Sequence, residues 1–303
     1  MEHSLPNISD IPGSKRWRKI EFLDKGWSAD RKYCIKTDDS RRLVLRLADI
    51  SQYEKKKTEY ERMGLIYRLG MDMSQPVSFG TCDSGRLVFI LLTWLEGESA
   101  EDTLSKFDTS KQYDWGASAG QILKKIHSIS APDNQLDWAA RMIRKIETKI
   151  SQYLDCGHIV PDDVRMMRYI NNNLQHLENR PQTLQHGDFH PGNLIVTPEN
   201  KLGIIDFNRM DFGDPWEEFV RVTTFTKTIS IPFAVGQINQ YFNRQPPESF
   251  FRVLALYSAI DAHFGIIWAI PFGQDEIARS LIRSKSVYED YRGFETYIPV
   301  WYK

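Results

Sequence analysis

Cysteine is scarce in this sequence. Cys34, Cys82 and Cys156 are odd in number and lie far apart, and no two stand at metal-ligand spacing. That pattern excludes a disulfide framework or a zinc ribbon, and it fits reduced thiols in a cytoplasmic protein. No apolar run approaches the ~20 residues that a bilayer-spanning helix needs. Residues 1–13 lack a basic start followed by an apolar stretch, so no secretory leader is expected. Charge of one sign is also missing. Lys and Arg number 39, Asp and Glu 40, and the net charge is −1. Such a chain has no bulk field to attract nucleic acid or anionic lipid, so neither nucleic acid nor membrane is an expected partner. Nothing in the sequence implies a protein partner. Repeats and low-complexity tracts are absent. A G-x-G-x-x-G loop is absent too: the turn-like segment "DKGWSADRKY" (24–33) holds a single glycine.

What is present is a chain of 303 residues with 12% aromatics, enough for a large packed core or two packed lobes. Segments 19–24, 32–37 and 42–48 are short and rich in β-branched or aromatic residues, and turn signals separate them. They predict an antiparallel meander. A helix follows, with Ser51 and Glu54 as a capping box, Tyr60, Met63 and Tyr67 on one face, and Gly70 at its end. Segments 76–80 and 85–95 predict two more strands, the second central. After residue 96 the apolar spacing becomes helical. Thr109 and Gln112 are read as caps of the first helix, with Trp115, Ala119, Leu123 and Ile126 as its stripe. Trp138, Met142 and Ile146 mark a second helix, and Val164, Met167 and Ile170 a third. Further helices are predicted near 215–228, 233–242, 249–269 and 274–288. The class is α+β: a small β-rich lobe with one helix, residues 1–95, then a larger mainly helical lobe, residues 96–303, interrupted by a strand pair.

That strand pair carries the most informative residues. "LQHGDFHPGNLIV" (184–196) holds His186, Asp188 and Asn193, and "IIDFN" (204–208) holds Asp206. Phosphoryl transfer from a nucleotide needs a carboxylate to orient the attacking hydroxyl, hard oxygen ligands for Mg²⁺, and a cation on the phosphates. His186-x-Asp188 followed by Asn193 matches the H-x-D-x-x-x-x-N spacing of a kinase catalytic loop. Asp206-Phe207 stands where a kinase has the metal-binding Asp of D-F-G. A carboxylate after two isoleucines is costly to bury unless something coordinates it. Each residue alone reads more readily as a hairpin turn or a strand-end cap. Order and spacing together favour the kinase reading.

The stretch "LQHGDFHPGNLIV…LGIIDFNRMDFGDP" resembles the aminoglycoside phosphotransferase family, whose pattern is HGDxHxxN, then IDF or IDW, then GDP. The resemblance implies a bilobal protein-kinase-like fold with nucleotide between the lobes. It implies Asp188 as catalytic base, Asn193 and Asp206 as Mg²⁺ ligands, and ATP or GTP as donor. Arg46 stands on the third strand in place of the usual phosphate-binding Lys, with Glu59 as its partner. Lys36 is a weaker alternative. Gly26 and Ser28 fall in the loop that would cover the phosphates. Thr93, Trp94 and Leu95 fall in the linker whose main chain would pair with the purine. His186 and Asp214 are expected to brace the catalytic loop, Asp214 by capping a helix that starts at Pro215. His127 and His190 are expected in the core.

Relatives in this family phosphorylate aminoglycosides, macrolides, choline, homoserine and other small alcohols. An aminoglycoside-type antibiotic is therefore the first expectation for the acceptor, and a metabolic alcohol the alternative. A catalytically silent nucleotide-binding module is the third reading. Glu217, Asp261, His263 and Trp268 are the candidate acceptor contacts, although acids and bases balance between residues 271 and 303. Residues 207–213 leave no room for the long activation segment that docks peptides, so a small-molecule hydroxyl substrate is expected.

Overall fold

The computed structural model describes residues 5–24 and 30–302. The chain divides into two compact units. Met1–Ala100 groups with Gly192–Met210, and Glu101–Pro191 groups with Asp211–Lys303.

The first unit is built on a five-stranded antiparallel sheet. Its strands are β1 (Trp17–Phe22), β2 (Arg31–Thr37), β3 (Arg42–Asp49), β4 (Pro76–Cys82) and β5 (Leu87–Thr93). The spatial order is β1-β2-β3-β5-β4, so β5 is interior, as its apolar run demands. The register aligns Tyr33 with Leu45 and Leu45 with Leu91. Alternation then sends Tyr33, Ile35, Leu45, Leu47, Phe89 and Leu91 to one face, where they form a core with Ile11 and Cys82. Lys32 and Arg46 are also directly paired, one residue out of phase, and so share the opposite face.

α1 (Tyr53–Tyr67) packs beside β4 and β5. Its lead-in is capped by Asp49, whose side chain accepts from Ser51 N–H at 2.9 Å. The expected Ser51–Glu54 box is not formed, because a 3₁₀ turn at Ile50–Gln52 moves the helix start beyond it. The inward face of α1 is Lys56, Glu59, Met63 and Ile66, whereas Tyr67 is 47% exposed. The predicted apolar face was off because two charged residues occupy the buried stripe. A second, three-stranded antiparallel sheet in this unit pairs β6 (Glu98–Ser99) with β8 (Leu194–Val196), and β8 with β9 (Leu202–Ile204). The sequence reading had put this hairpin among the helices. Main-chain bonds from Ile204 to Asp72 and from Ser74 to Ile204 tie it to the first unit.

The short α2 (Ala100–Thr103) leads onward along the chain. The second unit holds α3 (Thr109–Ile126), α4 (Trp138–Asp155), α5 (Asp163–Asn173), α6 (Lys227–Ile229), α7 (Ile231–Tyr241), α8 (Glu248–Ala269) and α9 (Gln274–Asp290). It also holds a two-stranded ladder of β7 (Thr183–Gln185) and β10 (Asp211–Gly213). α3 is capped by Asp108, one residue before the expected Thr109, and Gln112 bonds back to Phe107 O instead. α3 and α7 touch backbone to backbone: a Cβ at Gly116 would meet Phe233 O at 2.1 Å, and one at Gly236 would meet Tyr113 O at 2.3 Å.

α8 is buried on nearly every side. Glu248–Phe272 is long and apolar enough by composition to cross a membrane, but 72% of that apolar window is buried inside the protein, as in a core helix. In α5 the buried residues are Met166 and Ile170, while Val164 is 66% exposed. The helix expected near 215–228 is instead a 3₁₀ turn (Glu217–Phe219), a π-turn (Val222–Thr226) and the short α6.

Candidate active site

In the first unit, the candidate phosphate and metal residues lie on the charged face of the sheet and at one end of the β8–β9 hairpin. Arg46 is 4% exposed and bonds Glu59 through Nη1 and Asp30 through Nη2, the latter at 2.5 Å. Lys56 donates to the same two carboxylates, at 2.6 Å to Asp30 and 3.1 Å to Glu59. Two cations and two anions thus close a buried square. Burial works against the Arg46 charge, but Glu59, Asp30 and Asp206 outweigh it and raise its pKa. Burial pushes the Asp30 carboxyl up, and Arg46 and Lys56 bring it below the ordinary range. The Arg46–Glu59 pairing was legible in the sequence; Asp30 and Lys56 were not.

Ile205 N–H donates to Asn193 O at 3.0 Å, extending the β8–β9 ladder one step past Leu194–Ile204. Asn193 and Asp206 therefore flank the same end of that ladder. Asp206 adopts a left-handed backbone (φ 61°), which Asp tolerates, where the chain turns out of β9. Its Oδ2 stands 3.2 Å from Lys32 Nζ. The alternative cation, Lys36, is exposed and pairs across to Arg42; Lys32 is the lysine directly opposite Arg46. An amide oxygen and a carboxylate are hard donors that suit Mg²⁺, which takes one or two protein oxygens and completes its shell with phosphate and water. Among the described residues no group of three His, Cys, Asp or Glu forms a metal cage by itself.

The linker differs from expectation. Thr93 N–H donates to Gln75 O at 2.9 Å, Thr93 O accepts from Ser74 Oγ at 2.6 Å, and Trp94 N–H donates to Arg42 O at 3.1 Å. Gln75 takes the Thr93 N–H and Arg42 the Trp94 N–H, so neither N–H is left for a purine edge. The Trp94 ring stacks under the Arg42 guanidinium at 4.8 Å. Leu95 makes no main-chain hydrogen bond among the described residues, which leaves it as the linker candidate. Gly26 and Ser28 lie outside the described residues.

In the second unit, Asp188 ends a loop held from below by one buried carboxylate. Glu218, 4% exposed, accepts from Gly187 N–H at 2.6 Å and from His186 N–H at 3.0 Å. It also meets His127 Nε2 at 3.1 Å, while His127 Nδ1 meets Tyr241 OH at 3.0 Å. Burial pushes the Glu218 carboxyl up, but its bonds to His127 and to Gly187, with the field of His186, bring it down overall. His186 is fully buried, and its Nδ1 lies 3.3 Å from Asp188 N, a bracing position. Gly187 takes φ 83°, which a larger residue would resist.

Asp214 is fully buried. It receives Arg180 in a fork (2.6 and 3.0 Å), Tyr257 OH at 2.6 Å and Trp216 N–H at 3.0 Å. It acts as a hub more than as the cap of a regular helix. His127 is in the core. His190 is not: its Nε2 lies 3.9 Å from Asp188 Oδ2 and its ring packs on Phe225. Sequence reasoning missed Glu218 and Arg221. Arg221 Nε stands 3.0 Å from Asp188 Oδ1, and no motif flagged it.

The expected acceptor residues separate. Glu217 accepts from Gln185 Nε2 at 3.1 Å, with Lys145 at 3.7 Å. Asp261 lies 4.0 Å from Arg221. His263, two residues further along α8, is 1% exposed and packs on Tyr153, and neither ring nitrogen has a hydrogen-bond partner. Asp261 and His263 thus meet different neighbours. Burial lowers the His263 pKa to about 4. Trp268 is 38% exposed and stacks with Phe272.

A model of the phosphotransferase enzyme family matches residues 19–251. No curated protein is similar enough in sequence to match. Solved structures of similar fold include the apo form of a thermostable mutant of aminoglycoside phosphotransferase APH(4)-Ia, at TM-score 0.67 and 15% identity, covering 91% of this chain and 96% of that one. The GDP complex of wild-type aminoglycoside 2'-phosphotransferase-IIIa aligns at TM-score 0.65 and 17% identity, over 93% and 95% of the two chains. The streptomycin–ATP complex of APH(2'')-IIa aligns at TM-score 0.64 and 20% identity, over 90% and 93%. These superpositions establish the shared α+β, kinase-like fold, and at identities this low they show the fold alone.

Proposed function

The chain belongs to the phosphotransferase enzyme family, and on that premise we propose that it moves the γ-phosphate of ATP or GTP to a hydroxyl of a small molecule. The observation that carries this reading is the end of the β8–β9 ladder. There an amide and a carboxylate, Asn193 and Asp206, stand beside a sheet face bearing Lys32 and Arg46. Asn193 and Asp206 would hold Mg²⁺, which neutralises phosphate charge when bound with the nucleotide. Arg46 is oriented by two carboxylates and does not wander, and Lys32 carries a charge that can pass from Asp206 to a phosphate. Asp188 accepts the proton of the acceptor hydroxyl. As the oxygen bonds to the γ-phosphorus, the bond to the bridging oxygen breaks and its electron pair leaves with the nucleoside diphosphate. Glu218 keeps the Asp188 loop fixed through two main-chain bonds, so little reorganisation is needed at the moment of transfer. The cytoplasm, where both donor and reduced cysteines are found, is the proposed location.

Two acceptor classes remain, and each has its own support. The antibiotic reading rests on the fold neighbours, which include aminoglycoside phosphotransferases. The metabolic-alcohol reading rests on this chain's charges. Asp188, Glu217 and Asp261 are matched by Arg221, Lys145 and Lys149 within the same unit. A polycationic drug gains little from a balanced field, so we favour a metabolic alcohol. Nucleotide consumption in the presence of Mg²⁺, screened over aminoglycosides, macrolides and metabolic alcohols, tests both. No consumption with any acceptor would leave the silent-module reading, and consumption unchanged by Asp188→Asn would remove Asp188 from the role of base.

A further inference from the structure

Arg221 is the second-unit cation nearest the proposed base, and nothing in the mechanism above uses it. Its side chain is 21% exposed, so solvent-borne ligands can reach it. Nε lies 3.0 Å from Asp188 Oδ1, while Nη1 lies 4.0 Å from Asp261 Oδ1, an ion pair beyond hydrogen-bonding reach. One edge of the guanidinium thus engages the base. The Nη edge faces a carboxylate that stands off and has donors to offer.

The rest of the surroundings narrows what would accept them. Phe225, in the π-turn that follows Arg221, lies under its guanidinium at 5.6 Å; the same ring carries Arg283 at 5.7 Å and the His190 ring at 5.5 Å. Lys149 sits within the field of Lys145 and Asp261, and burial, then Lys145, lower its pKa. A cationic ligand at this place would meet Arg221, Lys149 and the Glu276-paired Arg283, although Asp188, Glu217, Glu218 and Asp261 also act on the Arg221 guanidinium. A neutral one would leave the Nη edge unanswered. An oxyanion takes a two-pronged bond from it.

Resting on the kinase reading, we propose that Arg221 recognises an anionic group of the acceptor, so that the alcohol phosphorylated here carries a carboxylate or phosphate a few bonds from its hydroxyl. The geometry ties recognition to chemistry. An oxyanion on the Nη edge sits one guanidinium width from Asp188, which places the hydroxyl of a short hydroxy acid against the base. By drawing the guanidinium toward itself, the same anion loosens the Arg221–Asp188 pair and frees the carboxylate to accept a proton. A polycationic acceptor is disfavoured by the same arginine, which supplies the repulsion that specificity needs.

The test is equilibrium binding by ligand-observed NMR, with ADP and Mg²⁺ present, on the wild type and on Arg221→Gln and Arg221→Lys. The probes are glycerate and 3-hydroxybutyrate as hydroxy acids, glycerol 3-phosphate as the phosphorylated alcohol, ethanolamine and choline as cationic analogues, and kanamycin as the polycation. At least one anionic probe should bind the wild type more tightly than every cationic one. Its affinity should fall about tenfold or more in Arg221→Gln and recover in part in Arg221→Lys. Which anionic arm responds tells carboxylate from phosphate. Preference for a cationic probe, absence of binding by every anionic probe, or undiminished anion binding in Arg221→Gln overturns the proposal. The wild-type ranking stands even if a variant fails to fold. ADP binding and phosphoryl transfer to any alcohol are measured alongside: if these hold while the anion preference fails, only the Arg221 proposal falls. If both are absent, the kinase reading falls first.

Discussion

Lys32 Nζ stands 3.2 Å from Asp206 Oδ2, so a cation of the second strand rests on the carboxylate that follows the last strand of the hairpin. Lys32 pairs directly across the sheet with Arg46, and the two share one face. The two cations have different partners: Arg46 is held by Asp30 and Glu59, and Lys32 contacts Asp206. Lys32→Met should raise KM for the nucleotide by about tenfold or more, the loss of a charge-assisted bond, with a smaller change in kcat. Lys32→Arg should restore part of it. Steady-state kinetics with varied MgATP decides, and an unchanged KM would assign the phosphate to Arg46 alone.

The square of Arg46, Asp30, Lys56 and Glu59 is buried, and each member leaves a bare charge if its partners are cut. Glu59→Ala should cost about 3–5 kcal/mol of stability, the range for breaking a buried pair from one side. Urea denaturation of the purified variant measures it. A cost below about 1 kcal/mol, as for a surface pair, would show that the square contributes little.

Glu218 holds two successive N–H groups of the loop that presents Asp188. Glu218→Gln keeps the volume but has one acceptor oxygen where two are used. The expected outcome is a fall in kcat of about 10- to 100-fold with KM for the nucleotide nearly constant, as for a misplaced base. A variant with wild-type kcat would show that the loop holds its shape without this carboxylate.

His263 predicts a pH effect on stability. Its folded pKa is pushed down to about 4 by burial, against about 6.5 in the unfolded chain. Between those values the unfolded state binds the proton and the folded state does not. Stability is therefore full above about pH 6.5 and declines as the pH falls toward about 4, by on the order of 3 kcal/mol in total. His263→Phe, which keeps a ring against Tyr153, should flatten that decline in denaturation curves taken from pH 7 to pH 4.5. An equally steep decline in the variant would place its origin in other groups.

The fold was largely legible from the period of its apolar residues. Strands alternating on Tyr33, Ile35, Leu45 and Leu47 follow from a sheet with one buried face, and long stripes such as Trp138–Met142–Ile146 follow from helices with one buried side. Errors came where polar groups competed. Asp108 took the cap assigned to Thr109 by accepting from Lys111 N–H, and Asp49 capped a 3₁₀ turn that displaces the helix start assigned to Ser51. The stripe of α1 was misjudged because Lys56 and Glu59 satisfy each other inside, which a hydrophobic pattern cannot show.

The site divides along the same line. Asp188, Asn193 and Asp206 were readable because their spacing is local in the chain. Glu218, Arg221, Asp30 and Lys32 were not, because each meets its partner only through tertiary folding, with 174 residues separating Lys32 from Asp206. Asp261 and His263 lie two positions apart on α8, which turns them to different surroundings.

One comparison bears on the kinase assignment more directly than any other. The wild type and Asp188→Asn are incubated with MgATP and with MgGTP over the full acceptor panel, and phosphorylated product is followed by ³¹P NMR, with circular dichroism confirming that both proteins are folded. The wild type should transfer the γ-phosphate to at least one small alcohol, and the variant should do so about 100-fold more slowly or worse, the size expected when the general base is lost. Equal product from the two folded proteins would contradict the role given to Asp188, and no product from the wild type with either nucleotide would contradict the phosphotransferase activity proposed for this chain.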